Sequence, residues 1–406
     1  MGGGDGGAVQ RRDKAMTGER DPLGWARAGF FALVPGAGVA GALALAPLLT
    51  LAGALSVRPS LLRQLLENKP LPLLLLGTFT LWALISTLWS SYAGYQGLRL
   101  GADACPGLML AAAGAANLRA ARLTLAAGAA AFAVLAGLIA VEAFLDLPLT
   151  RAVNTQETIT WMLERGPARG ATVLIAMTWG LAAWLIGAGR LHRLFGAGVL
   201  LAAALIAVQF SHQANAVSFA VGLLAFGAAM TAPRLAILAV TGGLAFWMLA
   251  APFLTPILFA DTSFTDNQPV GWIARIEIWK YTSAHILDAP LFGHGLDSAR
   301  TVQDIVMVRG EPMRGIPLHP HSAVLQIWYE LGAVGALLAT ATLVSGGWML
   351  SRLLADRRAA AAGACAALAS TGIIWCVGYG LWQEWWVATM CMSAALLAAA
   401  ARSARA

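Results

Sequence analysis

Charged residues are scarce in this 406-residue sequence, where Asp, Glu, Lys and Arg together make up 12% of the chain. A soluble globular domain contains about 25% charged residues. Hydrophobic residues make up 59% and occur in long runs rich in Ala and Gly, a composition that allows helices to pack closely in lipid. The scarcity of charge therefore excludes a soluble domain with a single anchor and predicts a polytopic membrane protein.

Cysteine is also rare, with four residues at Cys105, Cys365, Cys376 and Cys391. They lie in or near apolar runs, and the sequence contains no CxxC pair among them, which excludes a zinc ribbon and a disulfide framework. The sequence also lacks the HExxH motif of zinc enzymes and the glycine-rich loop of nucleotide hydrolases. We therefore expect neither a metal nor another cofactor.

Acidic residues number 20 against 27 basic ones, which gives a formal net charge of +7. No basic stripe with interleaved aromatic residues accompanies this excess, so we expect no nucleic-acid partner. Arg and Lys instead gather in alternate short loops, as they do on the cytoplasmic side of membrane proteins. These positions are Arg58, Arg63, Lys69, Arg119, Arg122, Arg190, Arg193, Arg234, Arg352, Arg357, Arg358, Arg402 and Arg405.

Apolar runs predict an all-α bundle of about 12 transmembrane helices. Ten runs are clear, near 71–89, 102–116, 123–144, 171–188, 194–209, 214–230, 234–256, 321–343, 360–378 and 386–401. The stretch 29–56 is long enough for one generous span and short for two, although Pro35 and Gly41 could divide it into two short helices. Charge bias favours two crossings here and 12 in all, whereas length favours one crossing and 11 in all.

These runs divide the chain into a disordered cytoplasmic tail (1–27), N-terminal transmembrane helices (28–256), a large outward-facing loop (257–320), C-terminal transmembrane helices (321–401) and a short cytoplasmic tail (402–406). Loops as long as the large one are usually functional or disordered. This loop contains "NQPVGWIARIEIWKYTSAHIL", whose apolar residues recur at helical spacing. The spacing predicts that the loop contains short helices, one of them amphipathic and lying at the membrane surface.

Two histidines flank Pro320 where the large loop meets the next span, in "HPHSAVLQIWYELGAVG". Pro320 biases His319 away from helical geometry. One interpretation is that Ser322 caps the helix and His321 only lines the interface. The other is that His321 is a base or a hydrogen-bond donor at the mouth of the span, since neutral imidazole suits proton transfer near pH 7.

The spacing around His321 resembles the histidine motif of the O-antigen ligase and polymerase family. In that motif His is followed by Asn, Ser or Gln, then nine residues, Gly, two residues, and Gly, Thr or Tyr. Here His321-Ser322 is followed by nine residues, Gly332, two residues and Gly335. The upstream "RIEIWKYTSAHILDAPLFGHG" also looks like that family. The sharp similarity covers residues 271–340 and extends to a layout of many spans with one large outward loop.

The resemblance implies a role for each matching residue. Arg275 falls on the family's loop arginine, which would hold the diphosphate of a polyprenyl-linked sugar, and a planar guanidinium suits phosphate oxygens. From the residues alone, an ion pair of Arg275 with Glu277 or Asp288 on a surface helix is the favoured interpretation, and the motif reverses this order. His321 falls on the family's essential histidine, which would deprotonate or orient the acceptor hydroxyl or help bind the phosphate. His319 is a candidate for substrate binding beside it.

One departure from the family concerns a second arginine, which often follows a serine in an earlier outward loop. The matching place reads "VQFSHQANAVS", so that His212 stands where the arginine would be. His212 and Gln213 are therefore substrate-binding candidates, although a neutral histidine binds a diphosphate less strongly than arginine. Arg300, Arg309 and Arg314 of the large loop are candidates to supply the missing charge.

Four further residues within or beside spans carry two interpretations each. Glu330 lies nine residues after His321, where an intramembrane carboxylate is either functional or hydrogen-bonded to a neighbouring helix for structural reasons. Trp382, Trp385 and Trp386 are typical of an aromatic belt at the membrane surface, with sugar stacking as the other option.

The resemblance implies an integral membrane glycosyltransferase that works without metal. It would move a glycan from undecaprenyl diphosphate to an acceptor hydroxyl of lipid A-core, at the periplasmic face of the bacterial inner membrane. If a second lipid-linked glycan were the acceptor, the protein would be an O-antigen or exopolysaccharide polymerase. A polysaccharide or lipid transporter is the alternative from another class, and it would need broken helices in matched halves of the chain. The expected partners are the lipid-linked donor, one of these acceptors and membrane lipids.

Overall fold

The computed structural model describes residues 24–57, 59, 63, 67, 70–94, 106–261 and 269–404. Most of the tail expected at 1–27 lies outside these residues, as do Cys105, Arg58, Lys69 and Arg405. The α-helices are, in chain order, α1 Gly24–Val39, α2 Leu45–Leu55, α3 Leu71–Ile85, α4 106–114, α5 Leu118–Phe144, α6 Pro148–Val153, α7 Thr160–Leu163, α8 Arg165–Gly187, α9 Arg190–Ala207, α10 Gln213–Thr231, α11 Pro233–Leu258, α12 Val270–Ile286, α13 Ala323–Leu353, α14 Arg358–Val377 and α15 Glu384–Ser403.

Nine helical stretches among the described residues are long and apolar enough to cross a membrane. They are α3 with the 3₁₀ turn that follows it, α5, α7 together with α8, α9, α10, α11, α13, α14 and α15. These stretches coincide with nine of the ten clear apolar runs in the sequence. The all-α bundle is therefore confirmed, and the protein is a multi-pass membrane protein.

The ambiguous stretch 29–56 contains two short helices, α1 and α2, as its Pro and Gly residues indicate. The chain turns between them at Gly41 and Ala42, both of which have positive φ. Pro35 lies inside α1 rather than at the break. The number of membrane crossings made by these two helices stays a prediction.

The chain forms two compact units, and the first comprises residues 1–64, 105–211 and 388–406. Within it α8 packs against α1, α5 and α9 and is buried along nearly its whole length. Gly170 lies against the α1 backbone, where an added Cβ would come within 2.8 Å of the Gly38 carbonyl oxygen. Small residues at such positions are what allow helices to approach closely in lipid.

The second unit comprises residues 65–104 and 212–387. In this unit α13 packs against α3, α11 and α12, and α10 packs against α14. The segment between α11 and α13 contains the predicted helix, observed as α12, and a 3₁₀ turn at Ser298–Thr301. The sequence-predicted candidates for the functional site all lie in this second unit.

The same segment also contains a β-hairpin that the sequence reasoning did not predict. Strands β1 Ile305–Val308 and β2 Glu311–Arg314 pair antiparallel, and Val308 faces Glu311 across a two-residue turn. Both turn residues, Arg309 and Gly310, have positive φ, the backbone geometry of a tight hairpin turn. Each strand has only four residues, too short to show a clear alternation of apolar and polar positions.

The prediction of an aromatic belt at Trp382, Trp385 and Trp386 is wrong. These side chains are only 6%, 3% and 1% exposed, so they do not face lipid headgroups. The ring of Trp385 packs edge-on against Tyr379, and the indole N–H of Trp382 donates to Glu330. A tryptophan whose N–H has a partner inside the protein needs no contact with the membrane surface.

Candidate functional site

The long helix α13 is broken at Gly332, whose φ of 64° and ψ of −164° are not helical. Only glycine adopts this conformation without strain. An added Cβ would also lie 2.4 Å from the carbonyl carbon of Leu291. From the other side, Gly293 has a φ of 70°, and a Cβ there would lie 2.4 Å from the carbonyl carbon of Glu330. Two of the glycines in the family-like region therefore allow two backbones to touch.

At this break, backbone N–H and carbonyl groups of α13 have no partner within the helix, and residues 290–295 form hydrogen bonds with them. Such pairing is needed because unpaired backbone groups are costly in a membrane. The hydrogen bonds run from the Ala333 N–H to the Pro290 carbonyl at 2.8 Å, from the His294 N–H to the Tyr329 carbonyl at 2.9 Å, and from the Gly295 N–H to the Glu330 carbonyl at 2.8 Å. The segment that precedes the hairpin is thereby fixed to the first half of α13.

Glu330, fully buried just before the break, is the centre of a hydrogen-bond network. Its carboxylate accepts from the Asp297 N–H at 2.8 Å, from the Gln326 amide at 3.0 Å and from the Trp382 indole. Gln326 accepts in turn from the Leu381 N–H at 2.8 Å. Of the two interpretations of Glu330, the structure supports the structural one, because its carboxylate is surrounded by donors of the protein itself.

The network holds the 378–383 segment, which connects α14 to α15 and receives His321. The Nδ1 of His321 lies 3.0 Å from the carbonyl oxygen of Gly378. A carbonyl oxygen can only accept, so Nδ1 carries the hydrogen, and Nε2 of the neutral ring carries a lone pair. His321 itself has a φ of 55°, and Ser322 caps α13 by accepting from the Leu325 N–H. Ser322 is thus the cap, and His321 has a separate set of contacts.

The environment of His321 favours its neutral form. Burial lowers the pKa of the imidazole to about 4, the charge of Arg275 adds to this effect, and the hydrogen bond to Gly378 opposes it. At pH 7 the ring is therefore neutral. The contribution of Arg275 also means that the structure brings these two sequence-predicted residues into electrostatic range of each other.

The His319 ring packs against the His321 ring at a tilt, with 4.3 Å between the ring centroids. Its side chain is buried, and its Nδ1 accepts from the backbone N–H of His321 at 3.1 Å. Its Nε2 lies 3.0 Å from the Gln383 side-chain amide. His319 therefore contacts the backbone that carries His321.

Arg275 projects from α12 without a carboxylate partner among the residues that the structure describes. Its Nη1 donates to the Gly271 carbonyl at 3.2 Å, and its buried Nε has no hydrogen-bond partner within the described part of the chain. Burial lowers the pKa of this guanidinium, and Tyr379 opposes the effect. Glu277 pairs with Lys280 at 3.2 Å instead, so Arg275 keeps donors for an anion.

Gln213 contributes to the position of Arg275 through Trp272. The guanidinium lies 5.3 Å from the centre of the Trp272 ring, and the indole N–H donates to the Gln213 side-chain oxygen at 2.7 Å. His212 occupies the N-cap position of α10, half-buried, and its side chain makes no cap hydrogen bond. The first residue of α10 is thus linked to the candidate site, and the role of His212 stays a prediction.

The other arginines named from the sequence differ in their surroundings. Arg300 forms an ion pair with buried Asp297 at 2.5 Å, and its guanidinium lies 5.9 Å from the Tyr92 ring centre. Burial raises the pKa of Asp297, and Arg300 opposes that rise. Arg309 and Arg314 are exposed on the hairpin. Their roles as substrate ligands stay predictions.

The sequence reasoning missed the 378–383 segment, which contributes Gly378, Tyr379 and Gln383 to the surroundings of the two histidines. The available signal was "VGYGLWQEWW", a glycine-flanked polar interruption between two apolar runs. The described residues contain no group of three or more His, Cys, Asp or Glu side chains that could hold a metal ion.

Trp82, Trp89 and residues 289–293 line a separate groove of about 660 Å³. Its lining is almost wholly apolar, which suits hydrocarbon better than sugar. Neither Arg275 nor His321 contributes to it.

Residues 158–340 match the family model described as O-Antigen ligase. The resemblance to the O-antigen ligase-like family is therefore confirmed. The matched region includes Arg275, His319 and His321 but ends before Gln383.

Curated relatives agree with this result. A Rickettsia conorii protein named "Putative polysaccharide ligase RC0486" is 29% identical over 159 residues, which cover 38% of this chain and 38% of the relative. A Rickettsia typhi protein named "Putative polysaccharide ligase RT0347" is 26% identical over 249 residues, covering 59% of this chain and 58% of the relative. The alignments thus span less than two thirds of either relative.

Proposed function

We propose that this protein is a glycosyltransferase that moves a glycan from undecaprenyl diphosphate to a hydroxyl of lipid A-core at the periplasmic face of the inner membrane. The observation that carries the proposal is the pairing of a neutral histidine, fixed through Nδ1, with a nearby arginine that has no carboxylate partner among the described residues. The family match and the names of the relatives support the reaction class.

In the proposed reaction, Nε2 of His321 accepts the proton of the acceptor hydroxyl while its oxygen attacks the anomeric carbon of the donor. The new carbon–oxygen bond forms as the bond to the diphosphate breaks, and the diphosphate leaves with the electron pair. Arg275 stabilises the developing negative charge, as fixed donors do in other active sites. A single displacement inverts the anomeric centre, so NMR of a product with retained configuration would contradict this step.

A histidine with a pKa of about 4 is a weak base, and binding of the donor would raise this pKa. The diphosphate would offset the charge of Arg275, which is one of the causes of the low pKa. An anion near the imidazole favours its protonated form. His321 would thus become a better base when the donor occupies the site.

The break in α13 supports an enzyme rather than a transporter. Broken helices of transporters direct free backbone groups towards a substrate. At Gly332 the freed groups are taken up by residues 290–295 of the same chain, which leaves them unavailable to a cargo.

The test is a gel of lipopolysaccharide from a gene-deletion strain that is complemented with wild type, with His321→Ala or with His192→Ala as an exposed control. We expect the deletion strain to show bare core and to accumulate lipid-linked polymer. Wild type and the control should restore capping of the core, and His321→Ala should not. Full rescue by His321→Ala would contradict the role of His321. A core capped with a single repeat would identify a polymerase, and an unchanged pattern would exclude lipopolysaccharide as the acceptor.

A further inference from the structure

His319 and His321 both contact the 378–383 segment, which lies outside the family-like motif. The carbonyl oxygen of Gly378 accepts a hydrogen bond from Nδ1 of His321. Five residues further on, the side-chain amide of Gln383 contacts Nε2 of His319. The ring of His319 packs on Gly380, where an added Cβ would lie 2.8 Å from Cγ of the ring. The 378–383 segment is thus shaped around both side chains.

The protonation of His319 follows from its partners. A backbone N–H can only donate, so the Nδ1 that faces the His321 N–H carries no hydrogen. The neutral ring then carries its hydrogen on Nε2, and the group facing Nε2 has to accept. The Gln383 amide meets this requirement when its oxygen faces His319, and amide oxygen and nitrogen positions are assigned from such networks.

This orientation also accounts for the Gln383 side-chain oxygen. As placed, that oxygen is buried without a hydrogen-bond partner in the described part of the chain, while the amide nitrogen faces a ring nitrogen that has to donate. Rotating the amide by a half-turn brings the oxygen to His319. This one change gives the donor on His319 an acceptor and the Gln383 oxygen a partner, while the amide nitrogen takes the former place of the oxygen.

We propose that Gln383 and His319 are positioning residues that hold His321 in its left-handed backbone conformation, with Nδ1 on Gly378 and the lone pair on Nε2. In this arrangement Nε2–H of His319 donates to the Gln383 oxygen, and the His321 N–H donates to Nδ1 of His319. A non-glycine residue with positive φ persists only where its surroundings fix it. In metal sites, removal of the outer partner that fixes the tautomer of a ligating histidine changes affinity or activity by about 10–100-fold, and we expect an effect of similar size here.

The proposal rests on the proposed function only for its effect on catalysis, and its structural part is tested separately. Histidine labelled with ¹⁵N in the purified full-length protein reports the tautomer and pKa of each ring, with the signals assigned from single His→Asn variants. Arg275 is the charged group that acts on His321, the Gly378 carbonyl accepts from its Nδ1, and the His319 ring packs against its ring. We expect the Nε2–H tautomer for His319 and the Nδ1–H tautomer for His321. Gln383→Leu should abolish both preferences and move the His321 pKa towards its ordinary value, whereas Gln383→Glu, which can still accept from His319, should preserve both tautomers.

The same variants are then compared in the lipopolysaccharide assay, with thermal unfolding measured to establish that each one is folded. Gln383→Leu and His319→Ala should slow capping by about 10-fold or more, and Gln383→Glu should recover most of it. Gln303→Leu, which removes an exposed amide, is the matched control and should behave as wild type. The proposal would be overturned if the tautomer and pKa of His321 were unchanged in Gln383→Leu. It would also be overturned if Gln383→Glu and Gln383→Leu changed them equally. If His321→Ala retained activity while the tautomers still depended on Gln383, the positioning would stand and the proposed function would fail.

Discussion

Arg275 and Arg300 lie on the same connection between α11 and α13, and their surroundings differ sharply. Arg300 follows a left-handed residue, Asp297, and pairs with its buried carboxylate at 2.5 Å. Arg275 stacks on Trp272 and has no carboxylate within ion-pair distance among the described residues. A paired arginine fixes the fold locally, whereas a half-buried arginine without an anion has donors left for a ligand.

This difference teaches that the number of arginines in a loop says little about which one binds substrate. Both side chains have aromatic neighbours and lie in the region of family similarity. The two arginines differ because the carboxylate of Asp297 pairs with Arg300, and the 3₁₀ turn that follows Asp297 places it there. The following predictions test whether the two arginines have separate roles.

Replacing Arg275 should have the largest effect. In Arg275→Gln we expect glycan transfer to fall by at least about 10²-fold, the usual effect of removing a donor that stabilises developing charge. The midpoint of thermal unfolding should stay the same or rise, because the variant no longer buries an unpaired cation. Capping of lipopolysaccharide and unfolding of the purified protein measure the two effects. Normal capping in this variant would contradict the proposed role of Arg275 in binding the diphosphate.

Replacing Arg300 should affect stability instead. Arg300→Gln leaves the buried carboxylate of Asp297 without its cation, so the free energy of unfolding should fall by about 1–3 kcal/mol. Activity per folded molecule should change little. Adding Asp297→Asn should recover part of the loss, since the two residues are coupled. Lost transfer with unchanged stability would instead indicate that Arg300 binds substrate.

The pH dependence of His321 should respond to Arg275 as well. NMR titration should give the imidazole a pKa near 4, and Arg275→Gln should raise it towards the ordinary 6.5, because a nearby positive charge disfavours the imidazolium. The sign for stability follows from linkage. The folded pKa lies below the unfolded one, so this contribution is present above pH 6.5 and is lost as the pH falls towards 4. A wild-type pKa near 6.5 would contradict the assigned environment.

Replacing Arg314 should have the smallest effect. This side chain is exposed at the end of β2, and such substitutions usually change stability by less than about 0.5 kcal/mol. Arg314→Gln should therefore unfold and cap lipopolysaccharide as wild type does. A loss of capping similar to that of Arg275→Gln would show that the hairpin contributes to the substrate site.

Much of the fold follows from the sequence, because spans and α12 are encoded by local apolar spacing. The positions of Arg275 and His321 were predictable from a motif confined to one region. Gln383 was not, since it lies 64 residues after His319 and contacts it only because α14 returns the chain to that end of α13. The burial of Trp382 was equally hidden, because its partner Glu330 lies on another helix. Local patterns predict elements, whereas pairings across the fold depend on the packing of whole helices.

The break at Gly332 also limits how the length of the chain can vary. Residues 290–295 are hydrogen-bonded at both ends to fixed positions of α13, so adding or removing one residue between Leu291 and His294 would take one end out of register with its partners. The hairpin tip at Arg309 and Gly310 is exposed and lies beyond the last paired residues of the two strands, Val308 and Glu311. Insertions and deletions among related proteins should therefore collect at the hairpin tip and be excluded from the segment that fills the break.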